Sequence, residues 1–272
     1  MNYKQNLHVH STYCDGKDAP EEMILAALEK GFDSLGFSGH SYMFFSPSYS
    51  MSLEGTEQYK TEVRRLKKKY AGQIDIFCGL EVDVCSEVDL SGYDYLIGSL
   101  HYFKFGEEYV GFDRSAELVE KVIREYFGGD GMKYAKEYYR RLADLPRYGN
   151  FDIIGHMDLV TKHVESRDFF DVSSREYRSA MIEAAEALAG KIPYFEVNTG
   201  AIARGYRTTP YPSMELLREL KRLGFGAVIT SDCHNKNDLD CFYDEAEELL
   251  KACGFRERFY LTTQGFVPVA LE

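Results

Sequence analysis

An α/β fold on a mainly parallel sheet is what this sequence predicts, and two observations predict it. Apolar strand-like runs alternate with stretches of helical period along the whole chain, the pattern of a sheet whose strands are joined by right-handed helical crossovers. The strand-like runs also close on histidines and carboxylates, and in parallel sheets, above all in barrels, functional groups gather at the carboxyl ends of the strands. No repeat, low-complexity tract or Pro-rich linker divides the chain, so residues 1–272 are read as one domain.

Leu7-His8-Val9-His10 reads as a strand running into a loop. Alternate side chains of a strand share a face, so His8 and His10 stand on one side, roughly 7 Å apart at Cα, which suits joint chelation of one cation. Asp15, before Gly16, reaches the same place from the rim. Asp18 as N-cap with Glu21 at the capping-box position opens a helix that ends at Gly31. Ser34 to His40 is a short apolar strand closing on a histidine, and the aromatic, Ser-rich loop 41–55 after it is long enough to be a lid.

Tyr59, Val63, Leu66 and Tyr70 at helical spacing predict a helix over 56–70, with its basic run on the solvated face. Asp75 to Asp83 is the third strand, ending in Glu81 and Asp83, and Tyr93 to His101 is the fourth. A second aromatic loop covers 102–114, followed by helices at about 115–127 and 131–145. Asn150 to Asp158 is the fifth strand, with His156 near its end. Ser173 with Glu176 opens a helix that runs to Gly190, and Pro193 to Asn198 is the sixth strand. Arg204 and Arg207 lie in the loop 199–212; Ser213 caps a helix ending at Gly224. Gly226 to His234 is the seventh strand, closing on Asp232 and His234, with a helix at about 240–253 behind it.

Composition narrows the function. Apolar residues make up 44% and charged residues 28%, ordinary for a folded globular chain, and 21 Tyr and 18 Phe supply core and pocket in the absence of Trp. A formal net charge of −12 disfavours a nucleic-acid partner, because such binding relies on Lys and Arg neutralising phosphates. No apolar run approaches a membrane span and the N-terminus lacks the basic and apolar regions of a signal peptide, so the expectation is a cytoplasmic protein with no membrane partner. Its six cysteines form no CxxC and are expected reduced, with Cys14 and Cys233 as small apolar fillers beside the candidate ligands.

Of the seven histidines, six fall at strand ends, joined there by Glu81 and Asp232; only His163 lies elsewhere. One histidine after a strand is ordinarily a hydrogen-bonded loop residue. So many imidazoles and carboxylates in one cavity carry a desolvation and repulsion cost that divalent cations offset. Mixed nitrogen and oxygen donors suit Zn, Mn or Fe, whereas Mg and Ca prefer oxygen alone. Clustered divalent metals favour hydrolysis, and phosphate esters are the natural substrates.

His8-Val-His10 with Ser11 and Asp15-Gly16, His40, Gly79-Leu-Glu81, Ser99-Leu-His101, Gly155-His156-Met-Asp158, Glu196-Val-Asn198 and Ser231-Asp232-Cys-His234 together resemble the polymerase-and-histidinol-phosphatase (PHP) domain family, in particular its histidinol-phosphatase branch. The resemblance covers essentially the full length. It implies a distorted seven-stranded (β/α) barrel of TIM-like type with two to three divalent metals. By position it implies that His8, His10, Glu81 and Asp232 hold one metal, that Glu81 bridges to a second held by His101 and His156, and that Asp15, His40 and His234 hold a third. Asp15, His40, Glu81 and Asp232 would then position the hydrolytic hydroxide. One departure stands out: relatives usually carry an acidic residue before the second-strand histidine, and here it is Gly39.

The activity so implied is phosphomonoester hydrolysis of L-histidinol phosphate in histidine biosynthesis, a small cationic ester that fits a net-acidic protein. Arg204 and Arg207 are the candidate phosphate-gripping residues, with Lys162 adding a point charge. Asp158 is expected behind the ligands. A phosphodiesterase or nuclease of the same family, and a metal-binding regulatory protein without catalysis, are the alternatives. The first lacks a basic region to support it and the second is disfavoured by an intact ligand set.

Overall fold

The structure, a computed structural model, describes residues 3–271; residues 1, 2 and 272 of the expected single unit lie outside the described residues. In chain order the elements are β1 (Gln5–Asn6), α1 (Pro20–Glu29), β2 (Ser34–Phe37), α2 (Leu53–Lys69), β3 (Asp75–Asp83), β4 (Tyr95–Ser99), β5 (Tyr102–Phe105), β6 (Glu108–Gly111), α3 (Ala116–Tyr126), α4 (Gly131–Leu142) and β7 (Ile153–Ile154). There follow α5 (Arg175–Leu188), β8 (Tyr194–Asn198), α6 (Gly200–Ala203), α7 (Met214–Arg222), β9 (Gly226–Thr230), α8 (Tyr243–Ala252), β10 (Glu257–Thr262) and β11 (Gly265–Ala270).

Seven strands pair in the order β1-β2-β3-β4-β7-β8-β9, every pair parallel. The ring closes just past β1 and β9, where Val9 bridges Cys233 in parallel and His10 N–H donates to the Cys233 carbonyl at 3.0 Å. The result is a distorted seven-stranded (β/α) barrel, irregular because β1 and β7 each pair over two residues.

Local chemistry explains where the element bounds differ from expectation. Helix α1 starts one residue later than predicted. Pro20 fits the first helical position, so Ala19 becomes the N-cap and its N–H donates to Glu22 at 3.0 Å, while Asp18 instead accepts from Lys236 N–H at 2.9 Å. Ser52 caps α2 by accepting from Gly55 N–H at 2.9 Å, which shortens the expected 41–55 loop by three residues. Ser174, not Ser173, caps α5, because Ser173 is drawn into a turn with Asp171.

The strand at His8 and the one at 150–158 are shorter than predicted. His8 N–H donates to the Asn6 side chain at 3.0 Å and His156 N–H to Glu196 at 2.6 Å, so both backbones leave the ladder as the functional side chains begin. The stretch 102–114 is largely an antiparallel hairpin, β5 with β6, turning at Gly106, where φ is +60°. A second hairpin, β10 with β11, was not expected. It closes the barrel at the N-terminal ends of the strands, where Gln5 holds Leu261 through both halves of its amide, 2.8 Å each way.

Leu261 there joins the cluster formed by Leu7, Phe77, Tyr95, Ile97, Ile153 and Val228. Tyr95 fills the space by donating its hydroxyl to the carbonyls of Leu7 and Phe37. Gly79 makes room for the ring: a Cβ there would stand 2.3 Å from Tyr95 Cζ. We expect Gly79→Ala to cost about 1–3 kcal/mol, because the tethered ring has nowhere to move. Urea unfolding should show a lower midpoint at unchanged slope; an unaltered midpoint would mean that Tyr95 is not held.

Candidate active site

The residues that follow β1, β2, β4, β7 and β9, together with Glu81 and Asp83 at the end of β3, converge on one mouth of the barrel. His8, His10, His40, His101, His156, Glu81 and Asp232 are all buried there, and Asp15 and His234 are half-buried at the rim. Period-two alternation aims His8 and His10 inward together, their rings 5.1 Å apart.

Three groupings of donor atoms emerge. His8 Nε2 lies 3.3 Å from Glu81 Oε2 and 3.7 Å from Asp232 Oδ1; His10 Nε2 lies 3.7 and 3.2 Å from the same two oxygens. His156 Nε2 is 3.0 Å from Glu81 Oε1 and 3.2 Å from His101 Nε2, and His101 Nε2 is 3.6 Å from Glu81 Oε1. At the rim, Asp15 Oδ1 is 3.6 Å from both His40 Nε2 and His10 Nδ1, and Asp15 Oδ2 is 3.3 Å from His234 Nε2. His10 therefore faces two groupings with its two nitrogens, and its ring stacks on that of His234 at 4.1 Å. His40 also spans two, with Nδ1 2.7 Å from Glu81 Oε2.

These donors fit divalent metals. Tetrahedral zinc with bonds of about 2.0–2.1 Å needs donors about 3.3 Å apart, which the first grouping approaches. His8 Nε2, His10 Nε2, Glu81 Oε2, His40 Nε2 and Asp15 Oδ1 are buried and make no hydrogen bond among the described residues. Unsatisfied polar atoms are rare in native interiors, and so many aimed at one another ask for a cation.

The electrostatics point the same way. Burial would raise Glu81, but His40, His8 and His101 hold it well below the carboxylate range; Asp232 is held low against burial by Arg204 and His8. Burial and the neighbouring His234 and His40 press His10 down to about 3, whereas His101, despite burial, is lifted to about 9 by Glu81 and Asp83. Adjacent imidazoles are thus pulled in opposite directions, a conflict that bound cations remove by requiring every ligand nitrogen to be unprotonated.

A second layer of hydrogen bonds fixes these side chains. His8 Nδ1 donates to Glu196 at 2.8 Å, leaving Nε2 to face the site; Glu196 also accepts from His156 N–H, Thr230 and Asn198. Ser99 donates to Glu81 Oε1 at 2.8 Å, and Asp83 accepts from His101 N–H at 2.7 Å. Asp158 lies behind the ligands, accepting from Ser213 N–H at 2.8 Å, and burial lifts its pKa. At Gly39 an added Cβ would meet Cys14 Sγ at 3.1 Å, and that sulfur sits 3.5 Å from His10 Nδ1, so the thiol occupies the place next to the departure from the family pattern.

Above the ligands is a cavity of about 390 Å³. Ser48 and Tyr49 line it from the 41–52 loop, with the Tyr49 ring stacked on His40 at 3.8 Å. Arg204 and Lys162 line it, but both are engaged: Arg204 donates to the Asp232 carbonyl at 2.7 Å and to Asp232 Oδ2 at 3.1 Å, and Lys162 pairs with Asp113 at 2.9 Å. Arg207 is a correction. It does not line the cavity; it is buried over the Tyr211 ring at 4.6 Å and donates to Thr161 and to the Thr209 carbonyl. The short helix α6 turns Arg204 inward, and the chain has reversed by the time it reaches Arg207.

Glu196, Arg114 and Tyr206 had no assigned roles from sequence, and Asp113 was one of several unranked acidic residues of the 102–114 loop, where substrate-reading groups were expected. Only Glu196, an acid inside the apolar run Tyr-Phe-Glu-Val-Asn, carried a readable signal.

Among known proteins, a histidinol-phosphatase of Bacillus subtilis is 27% identical over 92% of this chain and 99% of its own. A probable histidinol-phosphatase of Deinococcus radiodurans is 27% identical over 92% and 93%. The crystal structure of histidinol phosphate phosphatase from Lactococcus lactis, complexed with zinc, L-histidinol and phosphate, superposes with a TM-score of 0.74 at 23% identity, covering 97% of this chain and 98% of its own, and so shares the fold. Residues 6–200 match the PHP domain, a span that takes in every candidate strand-end donor except Asp232 and His234. By that match the chain belongs to the PHP domain family.

Proposed function

We propose that this protein is a metal-dependent phosphomonoester hydrolase acting on L-histidinol phosphate. The observation that carries the reading is the group of buried, unpartnered donor atoms of His8, His10 and Glu81, packed against Asp232 at the floor of an open cavity. The full-length relatives named histidinol-phosphatase support the substrate.

His8, His10, Glu81 and Asp232 would hold one cation, Glu81, His101 and His156 a second, and Asp15, His40 and His234 a third, from among zinc, manganese and iron. When bound, divalent cations supply Lewis acidity to a phosphoryl group and make water acidic enough to attack near neutral pH. The chain's own residues do the rest. Glu196 fixes the His8 tautomer, and Ser99 orients Glu81. Arg204 holds Asp232 through both terminal nitrogens, with Nη1 also 3.2 Å from His234 Nδ1, and its remaining N–H donors would serve a phosphate, while Lys162 adds a positive charge across the cavity. Tyr49 covers the site and limits water.

Metal-loaded protein should release phosphate from L-histidinol phosphate faster than from other small monoesters, read by a phosphate-release assay with elemental analysis of the same sample. Turnover of another monoester alone would overturn the substrate, and no turnover of any would overturn the hydrolase.

A further inference from the structure

The cavity's charges do not all belong to metals or phosphate. Of its acidic residues, Asp15, Glu81 and Asp232 stand among the metal donors, and Asp113 is left over. Asp113 follows the β5–β6 hairpin, and its backbone carbonyl is pinned by His163 Nε2 at 2.9 Å. One carboxylate oxygen takes Lys162 at 2.9 Å; the other accepts no hydrogen bond among the described residues and is not sealed from the cavity. Lys162 is itself set over the Tyr206 ring at 4.8 Å, so the pair is held from both sides.

A carboxylate in the wall of a phosphate-ester cavity repels the dianion it faces, and an oxygen left open beside the one that holds Lys162 favours a substrate that also carries a positive charge. Asp113 and Lys162 together form a fixed couple of opposite charges, the complement of a molecule that carries an anionic phosphate and a nearby cation. We propose that Asp113 is a specificity-determining residue that accepts the ammonium of an amino-bearing phosphate monoester, with Lys162 turned to the phosphate. The inference rests on the hydrolase reading above and adds which part of the substrate is read and by what. Arg114, next in sequence and 5.9 Å over the Tyr49 ring, bounds the same wall.

The test is a ratio. For wild type and for Asp113→Asn, kcat/KM is measured for L-histidinol phosphate and for its deamino analogue, 3-(imidazol-4-yl)propyl phosphate. Because the two esters are compared on one preparation, partial misfolding or loss of metal cancels. Wild type should prefer the aminated ester, and Asp113→Asn should erode that preference roughly 10- to 100-fold, mainly through KM, as loss of a charged hydrogen bond does. Asp113→Glu, which keeps the charge, should recover part of it. An unchanged ratio in Asp113→Asn, with both esters slowed alike, would overturn the assignment. Should wild type leave L-histidinol phosphate untouched, the substrate reading fails separately. Phosphoethanolamine against ethyl phosphate then supplies the ratio, and its erosion or constancy in Asp113→Asn supports or overturns the role of Asp113 in the same way.

Discussion

Glu81→Gln is expected to lower phosphomonoester turnover by about 10³-fold or more, the scale on which charge stabilisation lost from a reacting centre registers. The substitution preserves volume, and the Ser99 hydrogen bond to Oε1 survives. What it removes is charge at the point where two donor groupings meet: Oε2 serves His8, His10 and His40, and Oε1 serves His101 and His156. Its loss should be read in metal content as well as rate, with elemental analysis giving fewer bound ions per chain. A Glu81→Gln protein that kept its full complement of metal and turned over normally would remove Glu81 from the bridging position.

Chelation should have the second large effect, on stability as well as activity. A ligand that binds only the folded chain contributes about 2.7 kcal/mol at a hundredfold excess over its Kd and about 4.1 at a thousandfold. At roughly 2–4 °C per kcal/mol for a chain approaching this size, stripping the metals should lower Tm by about 5–15 °C. The donors explain why: in the metal-free protein, buried atoms such as His8 Nε2 and Glu81 Oε2 lose water on folding and gain no hydrogen-bond partner in return. Thermal unfolding before and after dialysis against a chelator, then after returning zinc, tests this. A Tm indifferent to verified metal loss would mean that the cluster carries no folding energy.

Much of the fold was legible because its causes are local. Strand β3 occupies Asp75–Asp83, the residues its apolar run marked, since a central strand buried on both faces leaves an uninterrupted apolar signature. Capping chemistry was legible to within a residue and failed where Pro20 outranked Asp18. The 102–114 hairpin was hidden by its aromatics, which read as loop because they pack on one another and on α4, as Phe103 does against Phe112 and Tyr134.

What the sequence determined by itself is which side chains converge: parallel strands deliver their ends to one mouth, so His8, His10, His40, Glu81, His101, His156, Asp232 and His234 meet there. Tertiary structure decided how they divide. That His10 shows each of its nitrogens to a different grouping, that Glu196 sits behind His8, that Arg207 turns into the protein while Arg204 faces the cavity, and that Asp113 keeps one oxygen open all depend on side-chain directions. Those directions are set by barrel closure and by packing between residues far apart in the chain, to which no local periodicity is sensitive.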